Sequence, residues 1–146
     1  MTETNPLLTN SALPPFAAIK PEQVGAAIDA VLADYQKEID ALTSDPAPRD
    51  FANTMLPQET LEMRVERAWS PVSHLHAVAD SPALREAYSA ALEKITEFST
   101  ELGQNRALYA AVKAVADRAD FADLPRPART LVEHALRDFR MSGVAL

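Results

Sequence analysis

Along most of the chain apolar side chains return every three or four residues, and breaks in that rhythm divide it into five helical stretches. The first starts at Pro21, a residue already set for the opening position of a helix. It places Val24, Ala27, Ile28, Val31, Tyr35, Ile39 and Leu42 on one face, and Pro46 and Pro48 forbid its continuation. The second runs from about Gln58 toward His76, with Leu61, Val65, Ala68, Trp69, Val72 and Leu75 inward. Pro71 interrupts it, yet the apolar phase carries across, which predicts one kinked helix and not two. Ser81 and Pro82 read as a cap and a first helical position. The third helix follows with Leu84, Tyr88, Ala91, Leu92, Ile95 and Phe98 on one face until Gly103. Asn105 caps a fourth that holds Leu108, Val112 and Val115. A fifth spans roughly Pro127 to Met141 on Leu131, Ala135, Leu136 and Phe139, and Ser142-Gly143 stops it.

Residues 1–20 have no such period. They form an extended, proline-rich N-terminal arm whose Leu7, Leu8, Leu13, Phe16 and Ile19 tie it to the rest. The expectation is an all-α fold: a helical bundle of about five helices (residues 21–146) with that arm (residues 1–20) laid on it. Composition agrees. Three glycines and few β-branched runs leave little to build turns and strands from. A length of 146 residues fits one domain with a real core. No internal repeat marks a solenoid.

Charge narrows the function. The formal net charge of −7 is uneven, because residues 1–68 hold eleven acids against five bases while the remainder hold ten against nine. A field of that sign repels phosphate, and no basic stripe with interleaved aromatics is evident, so no nucleic acid is expected as a partner. Zero cysteines exclude disulfides, thiolate metal sites and a cysteine nucleophile together. The opening residues MTETNPLLTNSALPPF lack a basic region and an apolar core of signal length, and no stretch is apolar enough to cross a membrane. The expected compartment is the cytoplasm.

Candidate chemistry centres on RAWSPVSHLHAV, where His74 and His76 stand beside the single tryptophan. On a helix, residues two apart point to nearly opposite sides, since each step turns roughly 100°, so the pair cannot chelate one ion. His76 falls on the inner stripe, partly buried and hydrogen-bonded, and His74 on the polar side; a strand or turn here would revive the metal reading. His134 and Asp138 share a face as a surface pair, two ligands short of a usual zinc set. Ser70, Ser73, Ser81 and Ser89 have no nucleophile elbow around them. Glu59, Glu62 and Glu66 form a solvated acidic face. Trp69 belongs to the core or, alternatively, lines a domain interface. No catalytic, cofactor-binding or metal-binding residue is assigned.

Taken in order, LPPFAAIKPEQVGAAID, RAWSPVSHLHAVADSPALREAY, STELGQNRALYAAVKA and ALRDFRMSGVAL resemble the N-terminal region of the thimet oligopeptidase family of zinc metallopeptidases. The resemblance covers nearly the whole chain, although none of these strings is a catalytic signature. It implies an N-terminal helical domain that walls a channel and restricts entry to short peptides. It also implies a catalytic domain of the same polypeptide as partner, with zinc held there by an H-E-x-x-H helix. No histidine here is followed by that motif, so zinc is expected in the longer enzyme only, the chain alone is expected to be inactive, and the chain reads as a piece of that enzyme. A stand-alone helical interaction module is the alternative. Self-association of the chain through SGVAL and the inner face of the last helix is expected if an interface lies bare.

Overall fold

The computed structural model describes residues 4–144. Among them are five α-helices and no strand: α1 (Pro21–Ser44), α2 (Phe51–Val78), α3 (Pro82–Gly103), α4 (Arg106–Ala116) and α5 (Arg126–Met141). Single turns of 3-10 helix lie at Pro6–Leu8, Phe16–Ala18 and Phe121–Asp123. The chain forms two compact units, one of residues 1–35 and 61–97, the other of residues 36–60 and 98–146.

The caps are local chemistry. The Ser81 hydroxyl accepts the Leu84 N–H at 3.1 Å to open α3, and the Asn105 side chain accepts the Leu108 N–H at 2.9 Å to open α4. The end of α5 is a Schellman turn: Gly143 takes a φ of 82°, its N–H reaches the Arg140 carbonyl at 3.1 Å, and the Val144 N–H reaches the Phe139 carbonyl at 3.2 Å. Val144 is thereby buried beneath the turn.

The start of α2 corrects the sequence expectation. The helix begins seven residues before the expected Gln58, at Phe51, and runs through Pro57. The reason is a reciprocal cap. Asp50 accepts the Asn53 N–H at 2.7 Å, and Asn53 accepts the Asp50 N–H at 3.0 Å, the capping-box exchange with Asn in place of the usual Glu or Gln. Asn53 also accepts the hydroxyl of fully buried Thr54 at 2.7 Å. Helix then continues unbroken through Pro71, as the uninterrupted apolar phase requires.

In the first unit Val24, Ala27, Ile28, Ala68, Val72, Leu84 and Ala91 close on one another, and Leu7 joins them from the arm. Burying a side chain the size of Ile28 or Val72 contributes about 1.5–3 kcal/mol. The arm is not plainly extended, since it makes two of the 3-10 turns, and its anchoring residues differ. Leu7 is 5% exposed, whereas Leu13 is 81% exposed and Leu8 and Phe16 are partly open. Both ends of the arm meet at Gln23, whose carbonyl accepts the Asn5 side-chain amide at 2.9 Å and whose side chain accepts the Lys20 N–H at 2.8 Å.

In the second unit the buried set is Ile39, Leu42, Met55, Leu108, Ala111, Val112, Val115, Val132, Leu136, Phe139 and Val144. Helix α4 packs on α5, and Tyr109 meets Phe139 edge-on at 5.7 Å. Two positions depart from expectation. Val132, not Leu131, is the fully buried residue of α5, and Leu92 of α3 is exposed.

Candidate functional site

The second half of α2 and the first half of α3 form a hairpin around the sole tryptophan. Trp69 and His76 are seven residues apart, two turns along one face of α2. The Tyr88 ring from α3 stacks on both, at 4.9 Å from Trp69 and 4.0 Å from His76, with interplanar angles of 23° and 16°. All three rings are partly buried, on the rim of the first core. Beyond His76 the loop residue Asp80 faces its Nδ1 at 3.2 Å and receives the Arg85 guanidinium at 2.5 Å. The Arg85 hydrogen bond, with a smaller one from His76, holds the Asp80 carboxyl below the usual carboxylate range against the opposing effect of desolvation.

His74 lies on the opposite side, exposed as its position on the helix predicts, with its ring 5.3 Å from Phe16 of the arm. The two histidines thus face different neighbours and converge on nothing. His134 is exposed on α5, and the surface pair expected of it is replaced: Asp138 accepts the guanidinium of adjacent Arg137 at 3.0 Å, a closer donor on the same turn. Among the described residues no three His, Cys, Asp or Glu side chains are placed to hold a metal ion.

Under the arm runs a cleft of about 220 Å³, walled by Pro6, Leu7, Pro14 and Pro15 on one side and by Glu66 and Arg67 of α2 on the other. The Arg67 guanidinium donates to the Asn10 side chain across it. The cleft is smaller than the roughly 300–1,000 Å³ typical of small-molecule sites. Ser70 and Pro71 of α2 also line it. Trp69 also borders a shallow depression on α2 with Ser73, His74 and Ala77, so it serves the core rim and the surface together. Of the serines, Ser81 is committed to its cap. Glu62 and Glu66 are exposed and Glu59 half-buried.

The Tyr88 stack escapes a reading of single helices, because it depends on which helices pair. The spacing of seven between Trp69 and His76 is the signal that points to it. The geometry is that of a braced helical hairpin with an arm strapped over it.

Residues 28–146 match the family described as neurolysin/thimet oligopeptidase, N-terminal domain. The chain is 40% identical over 146 residues to an oligopeptidase A of Haemophilus influenzae, covering all of this chain and 21% of that protein. It is 41% identical over 143 residues to an oligopeptidase A of Salmonella typhimurium, covering 98% of this chain and 21% of the relative. A dipeptidyl carboxypeptidase of Salmonella typhimurium matches at 32% over 150 residues, 98% of this chain and 22% of that protein. The chain therefore spans about a fifth of the length of these relatives. A chain that is helical through its described residues and matches this family model from Ile28 to its last residue belongs to the N-terminal domain family of the neurolysin and thimet oligopeptidases.

Proposed function

We propose that this chain is the N-terminal helical wall of a zinc-dependent oligopeptidase, and that it limits which peptides reach a catalytic region elsewhere in the same polypeptide. The observation that carries the reading is the alignment of the whole chain, at 40% identity, with proteins named oligopeptidase A, of which it spans 21%. The braced hairpin supports it. A wall that selects by size needs rigid helices and no reactive groups, and the Trp69–Tyr88–His76 stack stiffens such a surface. Short peptides are the substrates on this reading. Zinc is the metal of the catalytic region and is not held by this chain. The proposed compartment is the cytoplasm, which suits a chain without cysteine. No described helix is long and apolar enough to cross a membrane.

The test begins with the gene. A reading frame that continues into an H-E-x-x-H segment should yield a full-length protein that cleaves a quenched fluorescent peptide and stops on addition of a chelator. The 146-residue chain, purified without an affinity tag, should hold substoichiometric zinc by elemental analysis and leave that peptide intact. A reading frame lacking any peptidase segment, or chelator-sensitive turnover by the chain alone, would refute the proposal.

A further inference from the structure

The outer side of α2 carries polar groups that neither the core nor the helix hairpin uses. Glu66, Trp69, Ser70, Ser73, His74 and Ala77 line an open depression of about 460 Å³ there, within the roughly 300–1,000 Å³ of small-ligand sites. Glu66 and Ser70 also line the cleft beneath the arm, so the two adjoin. From Glu66 to Ala77 the helix rises about 16 Å, the span of about five residues of extended chain.

The lining combines a fixed aromatic ring with an unengaged carboxylate. Tyr88 holds the Trp69 ring by stacking at 4.9 Å, yet part of that ring borders the depression, which makes it a rigid platform. Glu66 lies three residues before Trp69, a neighbouring position on the helix surface. Its side chain is exposed, and no hydrogen bond or ion pair holds its carboxylate among the described residues. It is the only carboxylate of the depression, whose lining includes no lysine or arginine. The adjacent Arg67 guanidinium is engaged by the arm, where it donates to the Asn10 side chain. Residues 1–68 carry eleven acids against five bases, so the surrounding field also favours a cation. Ser70 and Ser73 add hydroxyls that both donate and accept, as a peptide backbone requires. His74, with Phe16 of the arm 5.3 Å from its ring, forms a further border.

We infer that this depression is a subsite for a short extended peptide, in which the Glu66 carboxylate and the Trp69 ring take one cationic group and Ser70 and Ser73 meet the backbone. The cation is the peptide's terminal ammonium or a lysine or arginine side chain, which share this chemistry. The inference rests on the proposed function, which makes short peptides the substrates. An indole beside a carboxylate suits positive charge, because the ring's negative face and the carboxylate attract it together. Ala77 is the only aliphatic side chain of the lining, so a large apolar side chain is the poorer occupant. Both contacts are open to water, which limits their joint effect on affinity to about two- to fivefold.

Trp69 is the single tryptophan, so its emission reports on its own site. Three pentapeptides without aromatic residues, all amidated at the C-terminus, are titrated into the 146-residue chain at neutral pH. One has a free N-terminus and no lysine or arginine, one is N-acetylated with a single lysine, and one is N-acetylated with no cation. At least one cationic peptide should bind about two- to fivefold more tightly than the neutral one, and the one that does so names the source of the cation. Glu66→Gln should abolish that preference without lowering the melting temperature, whereas Glu93→Gln, which removes the same charge from an exposed position of α3, should keep it. In the full-length protein Glu66→Gln should raise KM for the preferred peptide about two- to fivefold and leave kcat unchanged. Equal or tighter binding of the neutral peptide, no change in emission with any of the three, or a preference that Glu93→Gln erases as well overturns the subsite. A full-length protein that is an active peptidase and whose KM ignores Glu66→Gln also overturns it, while leaving the proposed function standing. A gene without a peptidase region overturns both.

Discussion

Tyr88 is the position where the hairpin's stiffness can be measured. Replacing it with Leu keeps an apolar side chain on the rim of the first core and removes the ring that stacks on Trp69 at 4.9 Å and on His76 at 4.0 Å. Each aromatic contact of this kind contributes about 0.5–1.5 kcal/mol beyond the area it buries, so losing both should cost about 1–2 kcal/mol once leucine recovers part of the packing. For a chain of this size 1 kcal/mol corresponds to roughly 2–4 °C in Tm, which places the variant about 3–6 °C below wild type. The decisive assay is a double-mutant cycle of Tyr88→Leu and Trp69→Leu, with urea unfolding followed by far-UV circular dichroism so that loss of the tryptophan does not remove the signal. A coupling of about 1 kcal/mol is expected between the two sites. Single effects that add to within about 0.3 kcal/mol would show that the rings merely adjoin, and the bracing argument would fail.

Other substitutions test other joints. A Cβ at Gly103 would stand 2.8 Å from the Ser142 hydroxyl oxygen and 3.1 Å from its Cβ, so Gly103→Ala should lower stability by about 1–3 kcal/mol despite alanine's better helix propensity. Adding Ser142→Gly should restore most of that loss in a thermal melt; a single variant as stable as wild type would show that the α3 end has room. Asp50→Ala removes one half of the cap at the start of α2 and should cost about 1 kcal/mol, seen as faster amide exchange confined to residues 51–54. The depressed Asp80 carboxyl contributes stability that is present above the ordinary aspartate range and is lost as pH falls below about 4 and through its lowered value. Asp80→Asn should flatten that acid-side loss, and a carboxyl titration by NMR that found Asp80 at or above the ordinary range would contradict the pairing.

What the sequence makes legible follows from how local each cause is. Ser81, Asn105 and Gly143 act within four or five residues, and the boundaries they set are visible in the pattern. Val24, Ala27, Ile28, Tyr35, Ile39 and Leu42 are all buried because one helix face has one phase. The start of α2 lies earlier than the apolar pattern suggests, because the stripe begins at Leu61 while the Asp50–Asn53 exchange upstream fixes the start at Phe51. Leu92 and Val132 lie beside the expected stripes, and tertiary packing decides which edge of a stripe is covered. The site is less legible than the fold. The sequence identifies His76 as inward and His74 as outward, but Tyr88 enters through the pairing of α2 with α3. The Asp80–Arg85 pair spans only five residues across the start of α3 and is local chemistry that the apolar pattern does not register. Of the C-terminal segment expected to be sticky, Val144 is buried, and Ala145 and Leu146 lie outside the described residues.

The arm's double attachment at Gln23 makes residues 5–20 a closed loop whose two ends share a single post on α1. Its length can therefore change without moving either end. Leu13, 81% exposed, is the tip of that loop, and the cost of extra residues inserted there grows only as the logarithm of loop length, about 0.6 kcal/mol for each doubling. A protease nick at Leu13 severs the loop yet leaves the far piece held by Lys20 and the near piece held by Asn5, buried Leu7 and the contact of Asn10 with Arg67. The arm is in that sense a cassette: a place where a tag, a spacer or a foreign loop can be carried while the hairpin beneath it keeps its shape.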